Sequence, residues 1–219
     1  EGSASMYVPR DRKTARRQMQ VSQAGDAPPE VLIRFREIVA EGNVTGPYRG
    51  YLFYWKTTRK DAIDKIALAL WPYLSGEKRS QFEAMTIAAR RSLPRLPDPS
   101  RSARTELAWA AGLFDGEGSA SICGPASRQY VQLEIPQSSA GAMPETLQRF
   151  RAAVGAGWLN GPYPPRSPWS RLPQYRWTLG AREDVGRVLS LLWPHLSAVK
   201  RDQIDRVSLT VRSSRGRAT

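Results

Sequence analysis

PEVLIRFREIVAEGNVTGPY, residues 29–48, returns as PETLQRFRAAVGAGWLNGPY at 144–163, with eleven of twenty positions identical. A second pair, LALWPYLSGEKRSQ (68–81) and SLLWPHLSAVKRDQ (190–203), shares eight of fourteen. The five residues EGSAS stand at 1–5 and again at 117–121. The offsets between copies are 116, 115 and 122, so one unit is duplicated with a single sizeable insertion. That insertion is PPRSPWSRLPQ after Tyr163, where the first copy has only RGYL. A period above one hundred residues marks a duplicated domain, since solenoid repeats are far shorter.

Each copy reads as mixed α and β. SASMYV (3–8) and RRQMQVSQ (16–23) alternate apolar with polar residues, the period of a half-buried strand. Met19 and Val21 are expected to face the core, with Gln18, Gln20 and Ser22 outward. The second copy repeats this with Val131, Leu133 and Ile135 inward and Tyr130, Gln132 and Glu134 outward. Val31, Leu32, Phe35, Ile38 and Val39 form a helical stripe. A hairpin ends in FYWK (53–56), matched by YRWT (175–178), and two helices near 60–70 and 76–90 close the unit. The expected fold class is α+β, two α-β-β-α-β-β-α units related by a pseudo-twofold, the first lacking its front helix. The domains are 1–90, a Pro/Arg/Ser linker at 91–104, 105–211, and a basic tail at 212–219.

Charge limits the partners. Thirty-three Lys and Arg against twenty Asp and Glu give +13, and RDRKTARR (10–17) holds five basic residues and one acid. A polyanion is implied, with nucleic acid first. No run approaches the length of a membrane span and no signal peptide is visible, so a cytoplasmic, nucleoid-associated or organellar setting is expected. Cys123 alone excludes an internal disulfide, and a single histidine, His195, leaves no cluster for zinc.

ELAWAAGLFDG (106–116) reads as a helix capped by Thr105 or Ser102. Ala108, Ala111 and Gly112 put small side chains one turn apart, a face that lets a second helix approach closely. Asp115 and Glu117 stand at its end. By pseudo-symmetry a partner helix precedes Glu1 and sets Glu1 opposite Glu117. Two carboxylates brought together this way suit a hard cation such as Mg²⁺. Because Glu1 begins the chain without that helix, the sequence is expected to be a fragment with weak DNA binding and little cleavage.

LAWAAGLFDGEGSASI resembles the LAGLIDADG signature, followed as Leu107 to Gly116 with Glu117 at the acidic site. The duplicated layout resembles the single-chain, two-repeat homing endonucleases of that family. The resemblance implies a Mg²⁺-dependent DNA endonuclease in which Glu117 and Glu1 hold divalent metals, aided by the Gly116 carbonyl. It implies strand-end glutamines at Gln23 and Gln137 acting through ordered water. It further implies lysines at Lys78 and Lys200 that polarise water or phosphate, with Arg79 and Arg201 beside them.

The outward sheet faces are then expected to form a DNA-binding saddle whose ribbons lie in successive major grooves. Reader candidates are Tyr7, Arg10, Arg12, Arg16, Gln18, Gln20, Tyr54 and Lys56 in the first half. In the second they are Ser121, Arg128, Tyr130, Gln132 and Arg176, while Arg166 and Arg171 on the inserted loop grip phosphates. The halves differ at most of these positions, so the partner is a long, asymmetric double-stranded target bound by a monomer. A non-cleaving DNA-binding regulator or an RNA-splicing maturase on the same fold is the alternative, with a basic structural module behind it. The host setting is an intron, an intein or a free-standing gene.

Overall fold

Alternation in the strands and a 3.6-residue stripe in the helices produce the same element order twice. The structure, a computed structural model, describes residues 2–7, 16–89, 102–125, 128–165 and 172–216. It divides into two compact units at residues 100 and 101. In unit 1, β1 (Gly2–Tyr7), β2 (Arg16–Ala24), α1 (Glu30–Val39), β3 (Asn43–Tyr48) and β4 (Leu52–Thr57) lead to α2 (Lys60–Leu70) and α3 (Gly76–Ala88). In unit 2, α4 (Ala103–Glu117) precedes β5 (Ser119–Cys123), β6 (Tyr130–Ser138), α5 (Glu145–Val154), β7 (Trp158–Tyr163) and β8 (Gln174–Leu179). Helices α6 (Arg182–Leu192) and α7 (Ala198–Gly216) close it. Both units are α+β, each with one four-stranded antiparallel sheet, in the order β1-β2-β4-β3 and β5-β6-β8-β7. Short 3-10 turns, Trp71–Tyr73 and Trp193–His195, separate the last two helices of each unit. Pro72 and Pro194 sit inside them, because a proline has no N–H for the helical ladder.

The core of each unit is built on one tryptophan. Trp55 and Trp177 are both fully buried, and their indole N–H groups donate to Glu41 O at 2.8 Å and Ala156 O at 2.9 Å. The glycines that follow those carbonyls, Gly42 and Gly157, have φ of 80° and 91° and lie flat against the indole, so a Cβ there would overlap the ring. Phe35 meets Trp55 edge-on at 4.8 Å, and Phe150 meets Trp177 at 4.7 Å. In unit 2 the buried apolar residues form one cluster that includes Ala110, Ala111 and Phe114 of α4. In unit 1 they fall into two clusters, with Met19 packed against both.

The sequence misses in five places here. Val31 and Ile38 of the expected helical stripe lie on the exposed side of α1, which buries Leu32 and half-buries Phe35 and Val39. A narrow stripe suffices because the sheet covers only one side of a ten-residue helix. The motif helix is longer than expected at both ends, so residues 103 and 104 of the linker belong to α4. Helix α7 runs to Gly216, into the stretch expected as a tail. Ala111, placed on the close-approach face, is instead buried in its own unit's core, leaving Ala108, Gly112 and Gly116 exposed.

Candidate active site

In unit 2 the end of α4, the start of β5 and the start of α7 converge. Ser102 caps α4, its Oγ accepting from Thr105 N at 3.2 Å, so of the two capping candidates the structure selects Ser102. Twelve residues or so further on, Asp115 is consumed by a second capping system. Its carboxylate accepts from Ser197 N at 2.9 Å and from Ser197 Oγ at 3.0 Å. Ser197 Oγ in turn accepts from Lys200 N at 3.2 Å, closing the first turn of α7. Asp115 therefore ties the end of the motif helix to the segment that carries Lys200.

Lys200 is buried, and its Nζ donates to Gly118 O at 2.6 Å while lying 5.7 Å from the Phe114 ring centre. Burial holds its ammonium below the ordinary lysine pKa, and the negative charges of Asp115 and Glu117 oppose that shift. Gly118 is packed so closely on Phe114 that any Cβ would overlap the ring. Glu117 is half-buried at this helix end, and Gly116 beside it is exposed. Gln137 lies three residues past Glu134, the last residue of β6 paired with β5, at the edge where α4 delivers Glu117. It continues the inner face of Leu133 and Ile135 rather than the outer one.

The oxygen donors at this helix end are the Glu117 carboxylate and the carbonyls of the last α4 turn after Phe114, whose own oxygen accepts from Gly118 N at 2.9 Å. Mg²⁺ is usually held through one or two carboxylates, with waters and substrate phosphates filling the rest of its shell. The donor set fits that pattern. Among the described residues no three His, Cys, Asp or Glu side chains cluster to form an all-protein cage.

Unit 1 repeats part of this. Gln23 continues the inner face of Met19 and Val21, two residues beyond the Gly2–Val21 pair. Lys78 stands half-buried in the first turn of α3, where its backbone N–H donates to Ser75 Oγ at 3.4 Å. Glu1 lies outside the described residues. Arg79 and Arg201 have structural partners: Arg79 donates to Trp71 O at 3.2 Å, and the two guanidinium groups lie 5.5 and 5.8 Å from the Trp71 and Trp193 ring centres.

The outer face of the unit 1 sheet forms a polar groove of about 970 Å³ that includes Gln18, Gln20, Tyr54 and Lys56. Gln18 Nε2 donates to Gln20 Oε1 at 2.8 Å, fixing both amides. Tyr48, Asn43 and Thr45, absent from the expected readers, line the same groove. Tyr48 meets Tyr54 edge-on at 5.4 Å and carries Lys56 Nζ 5.8 Å from its ring centre. Its phenol pKa is lowered, chiefly by its hydrogen bond with Thr45 and then by the Lys56 charge. Arg16 is exposed at the start of β2, opposite Tyr7 of β1. Arg17, its neighbour, is buried in a bidentate pair with Asp64 at 2.6 and 3.0 Å and is lost to any outside partner.

In unit 2, Ser121 pairs with Gln132 on the outer sheet face, and Arg128 is exposed in the connection that leads into β6. Arg176 is bridged to Glu134 at 3.2 Å and to Gln174 Oε1 at 2.8 Å, so this reader is held by two neighbours. Tyr130 is half-buried, its ring packing against Gly124 and Gly180, where added Cβ atoms would come within 3.1 and 2.9 Å. Trp158 is 72% exposed opposite Thr178 on this face, and the sequence reading missed it. Counting alternation back from Trp177 through the strand pairing would have found it. Arg10, Arg12, Arg166 and Arg171 lie outside the described residues.

No protein-family model matches the chain, and no curated protein matches its sequence. Solved structures do match its fold. The LAGLIDADG meganuclease I-AabMI bound to uncleaved DNA superposes with TM-score 0.68 at 15% identity, covering 98% of this chain and 89% of that one. The LAGLIDADG homing endonuclease I-GzeII in complex with its DNA target gives TM-score 0.64 at 14% identity, covering 100% and 88%. The LAGLIDADG homing endonuclease I-SmaMI bound to cleaved DNA gives 0.60 at 12%, covering 99% and 92%. With its duplicated sheets and a helix ending at Glu117, the chain has the fold of the LAGLIDADG homing endonucleases.

Proposed function

We propose that the chain is built as a site-specific, double-strand DNA endonuclease acting as a monomer on a long, asymmetric target. The observation that carries this reading is the convergence of Glu117, the Gly118 carbonyl and buried Lys200 at the end of α4. Polar outer sheet faces and a net charge of +13 supply the affinity for a polyanion. Glu117, with the Gly116 carbonyl, would hold Mg²⁺, which supplies Lewis acidity toward phosphate oxygens and lowers the pKa of a bound water. Lys200 orients water or a phosphate oxygen at that edge, with a proton made easier to release by burial. Gln137 and, in unit 1, Gln23 and Lys78 extend the polar lining. Gln18, Gln20, Tyr54, Lys56 and Arg176 contact bases or backbone in the groove.

The same fold as a non-cleaving DNA-binding regulator or splicing maturase is favoured by one observation. Among the described residues the α4 end contributes Glu117 alone, Asp115 being claimed by Ser197. Incubation with a randomised duplex library in Mg²⁺, followed by sequencing of new ends, decides between them. Discrete double-strand ends that vanish in Glu117→Gln support the nuclease. Selective duplex retention without ends supports the regulator.

A further inference from the structure

One row of residues crosses the outer face of each sheet at the same register. In unit 1 it runs Gln20, Lys56, Asn43, with Gln20 opposite Lys56 and Lys56 opposite Asn43. All three line the polar groove and offer two amides and an ammonium to whatever enters it. In unit 2 the equivalent row runs Glu134, Thr178, Trp158. Its polar groups are already engaged within the sheet. Glu134 is bridged to Arg176 at 3.2 Å, and Thr178 Oγ1 accepts from Asn160 Nδ2 at 3.0 Å. What remains for a partner is chiefly apolar: the threonine methyl and the indole. Trp158 stands on the edge strand β7 and is the most exposed aromatic side chain among the described residues. A lone exposed apolar side chain is ordinary. This one occupies the position that unit 1 fills with the Asn43 amide, on the face that the strands turn away from the core.

We propose that Trp158, flanked by Thr178, is the specificity-determining contact for the 5-methyl group of a thymine in the part of the duplex that unit 2 covers. The proposal rests on the reading above, that the outer sheet faces contact double-stranded DNA. The bases of a duplex are stacked on one another, so a side chain entering the major groove meets only their edges. Along those edges the thymine methyl is the apolar group, and the other distinguishing groups donate or accept hydrogen bonds. An indole set against that methyl leaves water without covering a polar base atom. A guanine or cytosine at the same place would bring groups to an apolar contact that leaves them unpaired, at a cost. Unit 1, with Asn43 in place of the indole, offers hydrogen bonds at this register instead. The two faces thus discriminate by different chemistry, amide and ammonium donors in unit 1 and methyl burial in unit 2.

The full chain is first used to retain sequences from a randomised duplex library in EDTA, which prevents metal-dependent cleavage. The retained duplex is then resynthesised with deoxyuridine in place of each thymine in turn, which removes the methyl and leaves base pairing intact. At a thymine on one side of the duplex this change should weaken binding roughly three- to tenfold, the scale of one buried methyl group. Trp158→Ala should bind the thymine and uracil forms of that duplex equally. Trp158→Phe should keep part of the preference. Because Trp158 lies largely in water, both variants should melt as the wild type does. Two results overturn the proposal while the DNA-binding reading stands: binding indifferent to every uracil substitution, or a thymine preference that survives Trp158→Ala undiminished. Failure to retain any duplex overturns both.

Discussion

Lys200 Nζ and the Gly118 carbonyl oxygen, 82 residues apart in the chain, are joined by a 2.6 Å hydrogen bond at the exit of the motif helix. That bond aligns a buried cation with the half-turn that presents Glu117. Lys200→Met keeps the side-chain volume and removes the charge. Folding stability should change by about 1 kcal/mol or less, since losing the bond and losing a buried charge offset each other. Cleavage should fall by roughly 10²-fold or more, as for loss of a positioned acid–base group. Denaturant melts alongside single-turnover assays on target duplex check both halves.

The same lysine sets a pH dependence. Burial lowers its folded pKa below the unfolded lysine value of about 10.4, so the unfolded chain binds more protons between the two. Stability from this group therefore rises as pH climbs from the folded pKa toward the unfolded one. Wild type should gain stability relative to Lys200→Met across that alkaline window. Urea titrations of both proteins at a series of pH values would show two parallel curves if the inference is wrong.

Asp115 holds Ser197, and Ser197 caps the turn that carries Lys200. Asp115→Ala leaves the Ser197 N–H without its acceptor and should cost about 1–3 kcal/mol. Asp115→Asn, which can still accept, should retain most of the stability. Both are read as shifts in urea midpoint at constant slope, and a wild-type midpoint for the alanine variant would contradict the clamp.

Gly118→Ala places a methyl group inside the contact surface of Phe114. Overpacking of this kind costs about 1–3 kcal/mol. The displaced carbonyl should also loosen its hydrogen bond from Lys200 Nζ, so cleavage should drop more than stability alone accounts for. Activity compared at a temperature where both proteins are fully folded separates the two effects.

Lys56→Ala should weaken duplex binding about equally across sequences and reduce the slope of log affinity against log salt by about 1. Gln20→Ala, which also releases Gln18 from its 2.8 Å bond, should instead relax preference at particular base pairs. Binding selections at two salt concentrations distinguish these outcomes.

The element order was readable because strand alternation and duplicated segments reinforce each other. Leu133 and Ile135, expected inward from period two, are fully buried. Gln23 and Gln137 were legible as paired positions, and the register puts both on the inner sheet face, Gln137 at the edge nearest the exit of α4. Other features need three dimensions. The packing of the Tyr130 ring against glycines at 124 and 180 is one, because period two says nothing of the residues beyond the strand ends. The Asp115–Ser197 link spans 82 residues and leaves no periodic trace. Tyr48 joins the groove through a β3 register irregularity between Thr45 and Tyr48, which alternation along one strand does not anticipate.

The bridge from Glu134 through Arg176 to Gln174 has a consequence for anyone redesigning this surface. Changing one of the three strands an arginine or an acid among neighbours chosen for it. Retargeting by one-residue-per-base substitution would then fail at this spot. Successful variants would swap all three side chains together, and a library that randomises them jointly samples the smallest unit that keeps its own charges matched.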